Sequence, residues 1–225
     1  MDESLIEKQN GNFANTVLGA VPSVVYNEDC VEGLKRFPDN YFDLAIVDPP
    51  YGAAEHWMAT GNGGKRKDNI SRWDIAPDAE YWEQLFRVSK NQIVWGANYF
   101  TNFLPLSTRW ICFQKKGPPN IPEFELAWTS LNVPNKIFAA SRKDLNINWG
   151  KWIHPTQKPT QLYDWIIFNY GAEANLILDT HVGSGSSRIA CNKAGKQFVG
   201  FEIDKDYYEA QEKRFKDFVS QLRMF

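Results

Sequence analysis

Short apolar runs separated by stretches of helical periodicity predict that strands and helices alternate along most of this chain. Helix-capping and helix-stopping residues bound several of the periodic stretches. Alternation of this kind is typical of α/β folds built on a parallel sheet. The predicted strands are 23–27, 42–47, 92–96, 175–178 and 197–202, and the predicted helices are 30–37, 77–89, 159–170, 186–194 and 208–222.

The middle of the chain departs from this alternation. Two strand-like runs, 109–113 and 124–130, are followed by residues 131–153, which we expect to be irregular. Residues 1–20 are polar and aperiodic, and we expect them to form a loose arm. The pattern therefore divides the chain into four parts: 1–20, 21–108, 109–153 and 154–225.

Composition bounds the class of protein. With 43% hydrophobic and 15% aromatic residues, the 225-residue chain can form one sizeable core with a small added element. No apolar stretch reaches the roughly 18 residues needed to cross a bilayer, and the acidic start lacks a signal-peptide core, so we expect a cytoplasmic protein without a membrane partner. The three cysteines are far apart and form no metal-ligand spacing, so we expect neither disulfides nor a metal.

The formal net charge of -2 is unevenly distributed along the chain. Residues 105–154 carry seven basic side chains against three acidic ones, a net of +4, and residues 52–74 carry a net of +1. Because phosphate contacts require Lys and Arg, these basic segments are compatible with a nucleic-acid partner. An uneven solvated surface is the plainer alternative.

The predicted strand 42–47 ends in Asp48–Pro49–Pro50–Tyr51, which combines a carboxylate, two stiffened carbonyls and an aromatic ring. Ligands of open α/β sheets bind beyond the carboxyl ends of strands. Each proline fixes its own φ and favours an extended residue before it, so the carbonyls at Asp48 and Pro49 are oriented before a ligand binds. This cluster suits chemistry on a flat exocyclic amine. The alternative is a proline pair that ends a strand over a packed tyrosine.

A second cluster follows the predicted strand 175–178. Asp179–Ser187 contains a glycine turn that leads directly into a helix, a layout that binds small charged ligands. It matches neither a phosphate loop nor a dinucleotide fingerprint. Glu202 ends the next strand roughly twenty residues later, where an acidic residue commonly holds ribose hydroxyls, so a nucleoside-containing cofactor is indicated. Helix capping could explain Asp29 equally well, and turn geometry could explain the glycines.

The order of these motifs resembles that of the β-class amino-methyltransferases that act on DNA. Asp48–Tyr51 comes first, a basic variable segment follows, and then come His154–Pro159 (HPTQKP), the glycine turn and Glu202. The resemblance covers about residues 26–214. The segments Trp95–Asn98 and Ala127–Ser130 are also similar to the family.

Two departures concern the cofactor half. Thr180–His181 stands where the family usually has Pro-Phe, and Ser186–Ser187 replaces a commoner Thr pair. They affect the expected strength of cofactor binding and leave the class unchanged. The resemblance implies a circularly permuted class I (Rossmann-like) methyltransferase sheet, with helices on both faces and a small target-recognition insertion. The catalytic half is then 21–108, the target-recognition segment 109–153, and the S-adenosylmethionine-binding half 154–225.

The resemblance implies a site-specific DNA methyltransferase that transfers a methyl group from S-adenosylmethionine to the N6 amine of adenine in duplex DNA. The target base must be flipped out of the duplex to reach the site. Asp48 and the Pro49 carbonyl would accept the amine hydrogens, Pro50 would stiffen the segment, and Tyr51 would stack on the base. The expected cofactor-binding residues are Asp29, Cys30, Lys158, Pro159, Thr160, Asp179, Thr180, Gly183, Ser184, Gly185 and Glu202.

Residues 109–153 would recognise the DNA sequence, and the long glycine-containing loop 52–72 would bind backbone phosphate. Asp48 favours adenine, because the cytosine enzymes of the family more often have Ser there. An N4-cytosine enzyme, a non-catalytic DNA-binding module, and methylation of RNA or protein stay as alternatives, and a homodimer or a cognate restriction endonuclease stays open as a partner. The expected DNA-binding residues are Lys65, Arg66, Lys67, Lys115, Lys116, Arg142 and Lys143.

Overall fold

The computed structural model describes residues 21–52, 74–116, 122–141 and 153–222. The strands are β1 (Ser23–Tyr26), β2 (Leu44–Val47), β3 (Gln92–Trp95), β4 (Trp110–Lys116), β5 (Phe124–Thr129), β6 (Lys136–Ser141), β7 (Leu176–Asp179) and β8 (Gln197–Phe201). The helices are α1 (Cys30–Leu34), α2 (Ala79–Val88), α3 (Thr160–Tyr170), α4 (Ser186–Lys193) and α5 (Lys205–Leu222), with a 3₁₀ turn at Ala97–Tyr99.

The strands of the described ranges form one mixed sheet in the order β1-β8-β7-β2-β3-β5-β4-β6. The first five of these are parallel, so their carboxyl ends meet at one edge of the sheet. From β2 the chain passes through α2 to β3 on one side, and from β7 it passes through α4 to β8 on the other. The strand order therefore reverses between β2 and β7, where open α/β sheets bind ligands.

Helices cover both faces of the sheet, as the sequence predicted. In β2, Leu44 and Ile46 pack in the cluster that contains Ile166 of α3, whereas Ala45 and Val47 face the cluster around α2. All four β2 side chains are buried. A strand that is buried on both faces has no polar alternation, which explains why a continuous apolar run identified it.

The segment 109–153 extends the same sheet. β5 pairs antiparallel with β3 and with β4, which confirms the two strands expected there. The expectation that residues 131–153 are irregular was wrong for 136–141, because β6 pairs parallel with β4. β6 lies at the edge of the sheet, three of its six side chains are exposed, and Ile137 is 65% exposed. A strand in this position lacks the burial pattern that sequence reading depends on.

Local signals placed the helices well, although α1 ends at Leu34 rather than at residue 37. The Asp29 carboxylate caps α1 by accepting the N–H groups of Val31 and Glu32. The capping interpretation of Asp29 is therefore confirmed. No helix within the described residues is long and apolar enough to span a membrane.

Candidate active site

Asp48 lies directly after β2 and has two side-chain partners. Its Oδ1 accepts a hydrogen bond of 2.8 Å from the Tyr51 hydroxyl, and its Oδ2 forms an ion pair with Lys158 Nζ. The Lys158 side chain is only 6% exposed. The sequence grouped Lys158 with the expected cofactor residues, and in the structure its ammonium group contacts the Asp48 carboxylate.

A second carboxylate shares the same ammonium group. Lys158 Nζ lies 3.2 Å from Glu125 Oε2 and 5.4 Å from the centre of the Trp95 ring. Burial disfavours the charged lysine, but the negative charges of Asp48 and Glu125 outweigh burial and raise the pKa of Lys158 above its ordinary range. Lys158 therefore stays protonated at neutral pH and cannot act as a base.

Glu125, on β5, also pairs with Lys115 of β4. Burial would raise the pKa of Glu125, but the charges of Lys158 and Lys115 lower it to about 2. The four side chains Lys115, Glu125, Lys158 and Asp48 thus form a line of alternating charge, which we call the charge row. Lys115, which was expected to contact DNA, forms the ion pair with Glu125 in the structure, and its contact with DNA stays a prediction.

Tyr51 is held on several sides. Its ring stacks on Tyr99, with 4.7 Å between centroids and 11° between planes, and meets Phe100 edge-on. Burial and the charge of Asp48 raise the pKa of Tyr51 well above its ordinary value, so the phenol stays protonated and donates to Asp48. The tyrosine is partly exposed rather than sealed in the core.

Gly96 makes the position of Tyr51 possible. A methyl group at residue 96 would lie 2.1 Å from Tyr51 Cε1, and the φ of Gly96 is +65°. From the sequence, the segment Trp95–Asn98 was noted only as similar to the family. The structure shows that Gly96, within this segment, leaves room for the ring of Tyr51. Tyr99, half exposed beside it, was missed because nothing in the sequence pairs it with Tyr51.

The glycine turn follows β7 and is joined to the end of β8. Gly183 and Gly185 have φ values of +52° and +74°, which other residues rarely adopt. The Gly183 N–H donates to Glu202 Oε2 at 2.8 Å. The turn and the acidic residue, separate in sequence, therefore form one structural unit.

Asp179 and Glu202 are buried carboxylates held by neutral donors. Asp179 accepts the Ser187 hydroxyl at 2.5 Å and the His181 N–H at 3.0 Å. Burial raises the pKa of Asp179 to about 7 and also raises that of Glu202, against the lowering effect of the donors. Among the ion pairs of the described residues, neither carboxylate has a lysine or arginine partner.

The Thr180–His181 departure from the family is accommodated by hydrogen bonds. Thr180 Oγ1 lies 2.8 Å from the Tyr81 hydroxyl and 2.9 Å from His181 Nδ1. Burial lowers the pKa of His181 to about 4, so its ring is neutral at pH 7. A neutral, packed imidazole can occupy the position where the family usually has an apolar ring.

Asp29 and Cys30 lie after β1, the strand beside β8, and so on the same edge as Glu202. Burial and the Asp29 charge raise the pKa of Cys30 to about 12, so its thiol is protonated. Across the described part of the chain, no group of His, Cys, Asp and Glu could hold a metal ion.

Some of the other expected site residues pack or hydrogen-bond within the protein, and the rest lie outside the described residues. Pro159 is buried at the start of α3, and Thr160 Oγ1 accepts a 3.4 Å hydrogen bond from Arg214. Ser184 Oγ lies 3.1 Å from Ser186 Oγ. Outside the described residues lie the arm 1–20, Lys65, Arg66, Lys67, Arg142 and Lys143, and the side chain of Lys116.

Comparison with known proteins agrees with this geometry. Residues 105–213 match the N6/N4 methyltransferase family model, described as DNA methylase. The chain is 25% identical to type II methyltransferase M2.MboI of Moraxella bovis, over 88% of this chain and 89% of that protein. It is 24% identical to type II methyltransferase M.HinfI of Haemophilus influenzae, over 93% of this chain and 71% of that protein.

Solved structures confirm the class I α/β fold. The M1.HpyAVI–SAM complex has a TM-score of 0.56 at 20% identity, covering 85% of this chain and 99% of that one. PvuII DNA methyltransferase, described as cytosine-N4-specific, has a TM-score of 0.58 at 14% identity, covering 88% of this chain and 89% of that one.

The family model and the two type II methyltransferases support an S-adenosylmethionine-dependent DNA amino-methyltransferase family for this chain, which confirms the resemblance drawn from its motifs. The chain is thus similar, over residues 105–213, to the N6/N4 DNA methylase family.

Proposed function

We propose that the protein transfers the methyl group of S-adenosylmethionine to the exocyclic N6 amine of adenine in duplex DNA. The observation that carries this proposal is the position of Asp48, which pairs with Lys158 at the end of β2, next to the glycine turn of β7 where the strand order reverses. An acceptor for amine hydrogens and a binding turn for a nucleoside-containing cofactor thus share one crevice.

The residues after β1, β7 and β8 fit S-adenosylmethionine. Glu202 would hold the ribose hydroxyls, because each carboxylate oxygen keeps a lone pair free beyond its one backbone donor. When bound, the cofactor supplies an electrophilic methyl group on a sulfonium. Asp29 and Cys30 would contact the adenine ring, Pro159 and Thr160 would line the cleft, and the methionine portion would meet Asp179, Thr180, Gly183, Ser184 and Gly185.

Asp48 and the Pro49 carbonyl would accept the two hydrogens of the target amine. These contacts draw the nitrogen toward a tetrahedral shape, so that its lone pair can form the new bond to the methyl carbon. Transfer would leave the electron pair of the broken carbon–sulfur bond on sulfur and a positive charge on the amine nitrogen. Asp48 then takes the surplus proton and passes it to water, because Lys158 and Tyr51 stay protonated.

The target base must leave the duplex to reach this depth. Tyr51 would contact the flipped base, supported from behind by Tyr99 and Gly96. Base–aromatic stacking contributes about 1 to 3 kcal/mol. Target recognition would come from 109–153, of which β4, β5 and β6 lie beside the catalytic strands.

Direct detection of modified bases in DNA from cells that express the protein tests this function. We expect N6-methyladenine at one defined sequence, and none in cells that express Asp48→Ala. N4-methylcytosine would instead assign the cytosine reaction of the PvuII relative. The absence of any methylated base would contradict the proposal.

A further inference from the structure

We propose that Glu125 is a positioning residue that acts through Lys158 on Asp48, so that these three side chains hold one net negative charge beside the reacting amine. The inference rests on the proposed methyl transfer and adds a residue from the target-recognition segment to the catalytic machinery.

The geometry of the charge row supports a shared ammonium group. Lys158 forms a hydrogen-bonded ion pair with Asp48, whereas Glu125 Oε2 lies 3.2 Å from Lys158 Nζ without the angles of a hydrogen bond. This Glu125 oxygen is buried and has no hydrogen-bond partner within the described residues. Keeping a carboxylate oxygen buried with an ion-pair contact but no hydrogen bond is costly, so a role for its charge is indicated.

The charge matters because methyl transfer turns a neutral amine into a cation. Asp48 and Lys158 by themselves form a neutral pair, which offers little net potential to a developing positive charge. Glu125 restores a net negative charge to the group without competing for the amine. Fixed charges in a site that excludes water stabilise such transition states strongly.

Lys115, at the outer end of the charge row, is expected to contribute less. Its side chain is 29% exposed, against 6% for Lys158, so water screens its charge more effectively. Removing Lys115 should also change the transfer rate in the opposite direction. Without its positive charge, the electrostatic potential that the inner three side chains produce at the amine is more negative.

Single-turnover transfer of labelled methyl groups to duplex DNA, at saturating DNA and cofactor, tests the inference. We expect Glu125→Gln to lose about 10- to 100-fold in rate, as expected for one charge acting at a distance of several ångströms. We expect Lys158→Met to shift the acid limb of the pH–rate profile upward, because two facing carboxylates then share a proton. Lys115→Gln should raise the rate slightly above that of the wild type, because it removes a positive charge from the outer end of the charge row.

The double variant Glu125→Gln with Lys158→Met is the decisive arm. Among the three inner side chains it leaves only Asp48 charged, so its rate should exceed that of Glu125→Gln. A purely structural role predicts that the double variant is no faster than the slower single variant. Asp164→Asn, which removes a carboxylate from the surface pair with Lys193, is the matched control and should behave as the wild type.

The outcomes separate this inference from the function on which it rests. Calorimetry should show S-adenosylmethionine binding to Glu125→Gln with unchanged affinity. A Glu125→Gln rate within twofold of the wild type, or a double variant slower than both single variants, overturns the inference while methyl transfer stands. A wild-type protein that binds the cofactor and transfers no methyl group overturns both.

Discussion

Four carboxylates at the same sheet edge, two buried and two partly buried, are stabilised in two different ways. On the proposed cofactor side, Asp179 and Glu202 accept only N–H and hydroxyl donors, and burial raises their pKa values. On the proposed catalytic side, Asp48 and Glu125 face ammonium groups, and the pKa of Glu125 is lowered to about 2.

This difference separates carboxylates whose cationic partners are side chains of the protein from carboxylates whose cationic partner would be the bound ligand. On the proposed catalytic side Asp48 and Glu125 already pair with Lys158, so the proposed acceptor is positioned before anything binds. The cofactor side holds carboxylates whose ionisation is disfavoured until a cationic ligand or further donors arrive. We therefore expect changes on the catalytic side to affect transfer, and changes on the cofactor side to affect binding and its pH dependence.

The largest expected effect is that of Asp48→Ala. Loss of the amine acceptor should reduce methyl transfer by at least about 1000-fold. The affinity for S-adenosylmethionine should change only a few-fold, because no cofactor-side donor contacts Asp48. Radiolabel transfer and calorimetry on the same preparation measure both, and equal loss of the two would refute the division between the sides.

Gly96→Ala should disturb the catalytic side through Tyr51. The added methyl group would meet the ring at 2.1 Å, and residue 96 must also keep a positive φ. We expect a loss of about 2 to 5 kcal/mol in unfolding free energy and at least tenfold in transfer. Gly195→Ala is the matched control, because its φ is +68° with nothing within 4 Å of the added methyl. If denaturant melts show equal losses for both variants, the contact with Tyr51 is unimportant.

Cofactor binding should strengthen as pH rises toward 7. The pKa of Asp179 is raised to about 7, and a cationic ligand favours its ionised form, so affinity should rise by up to about tenfold per pH unit below pH 7. Calorimetric titrations from pH 5 to 8 would show this slope. Asp179→Asn should remove most of it, and an unchanged slope in that variant would assign the effect elsewhere.

Folding stability should respond to the same group with the opposite sign. The folded-state pKa of Asp179 lies above the usual 3.8, so its folded form binds the proton more tightly than the unfolded form. Asp179 should therefore lower the unfolding free energy progressively as pH rises from about 4 to 7, by on the order of 4 kcal/mol in total. Denaturant titrations of the wild type and Asp179→Asn, without cofactor, would isolate this contribution; parallel pH curves would contradict it.

Ser187→Ala should give the smallest effect. The Ser187 hydroxyl donates to Asp179 at 2.5 Å and lowers its pKa, so its removal should move the midpoint of the cofactor-binding profile to higher pH. We expect a Ser187→Thr variant, which restores the residue type commoner in the family, to keep the wild-type midpoint. A downward shift in Ser187→Ala would show that the hydroxyl does not stabilise the carboxylate.

The elements that flank the crevice could be predicted because their signals are local. β2 is a continuous apolar run, the glycines at 183 and 185 mark a turn, and Asp29 caps its own helix. Each depends on residues that are neighbours in the chain. Strand β6 was missed because its side chains do not alternate between a buried and an exposed face.

The charge row could not be predicted in the same way. Glu125 is an isolated acidic residue in a strand, which in sequence is typical of a solvated face. Its partner Lys158 lies on the far side of residues 131–153, and only the completed sheet brings the two together. The order of the motifs predicted the class of enzyme. The ion-pair partner of each charged side chain depends on tertiary contacts, which the sequence does not show.

Nucleoside analysis of duplex DNA, after incubation with the purified protein and methyl-labelled S-adenosylmethionine, tests the central claim most directly. We expect the label in N6-methyladenine for the wild type, and bound cofactor without labelled nucleoside for Asp48→Ala. Equal labelling by the two proteins would contradict the role of Asp48, and a wild type that labels no nucleoside would contradict the assignment of a DNA amino-methyltransferase.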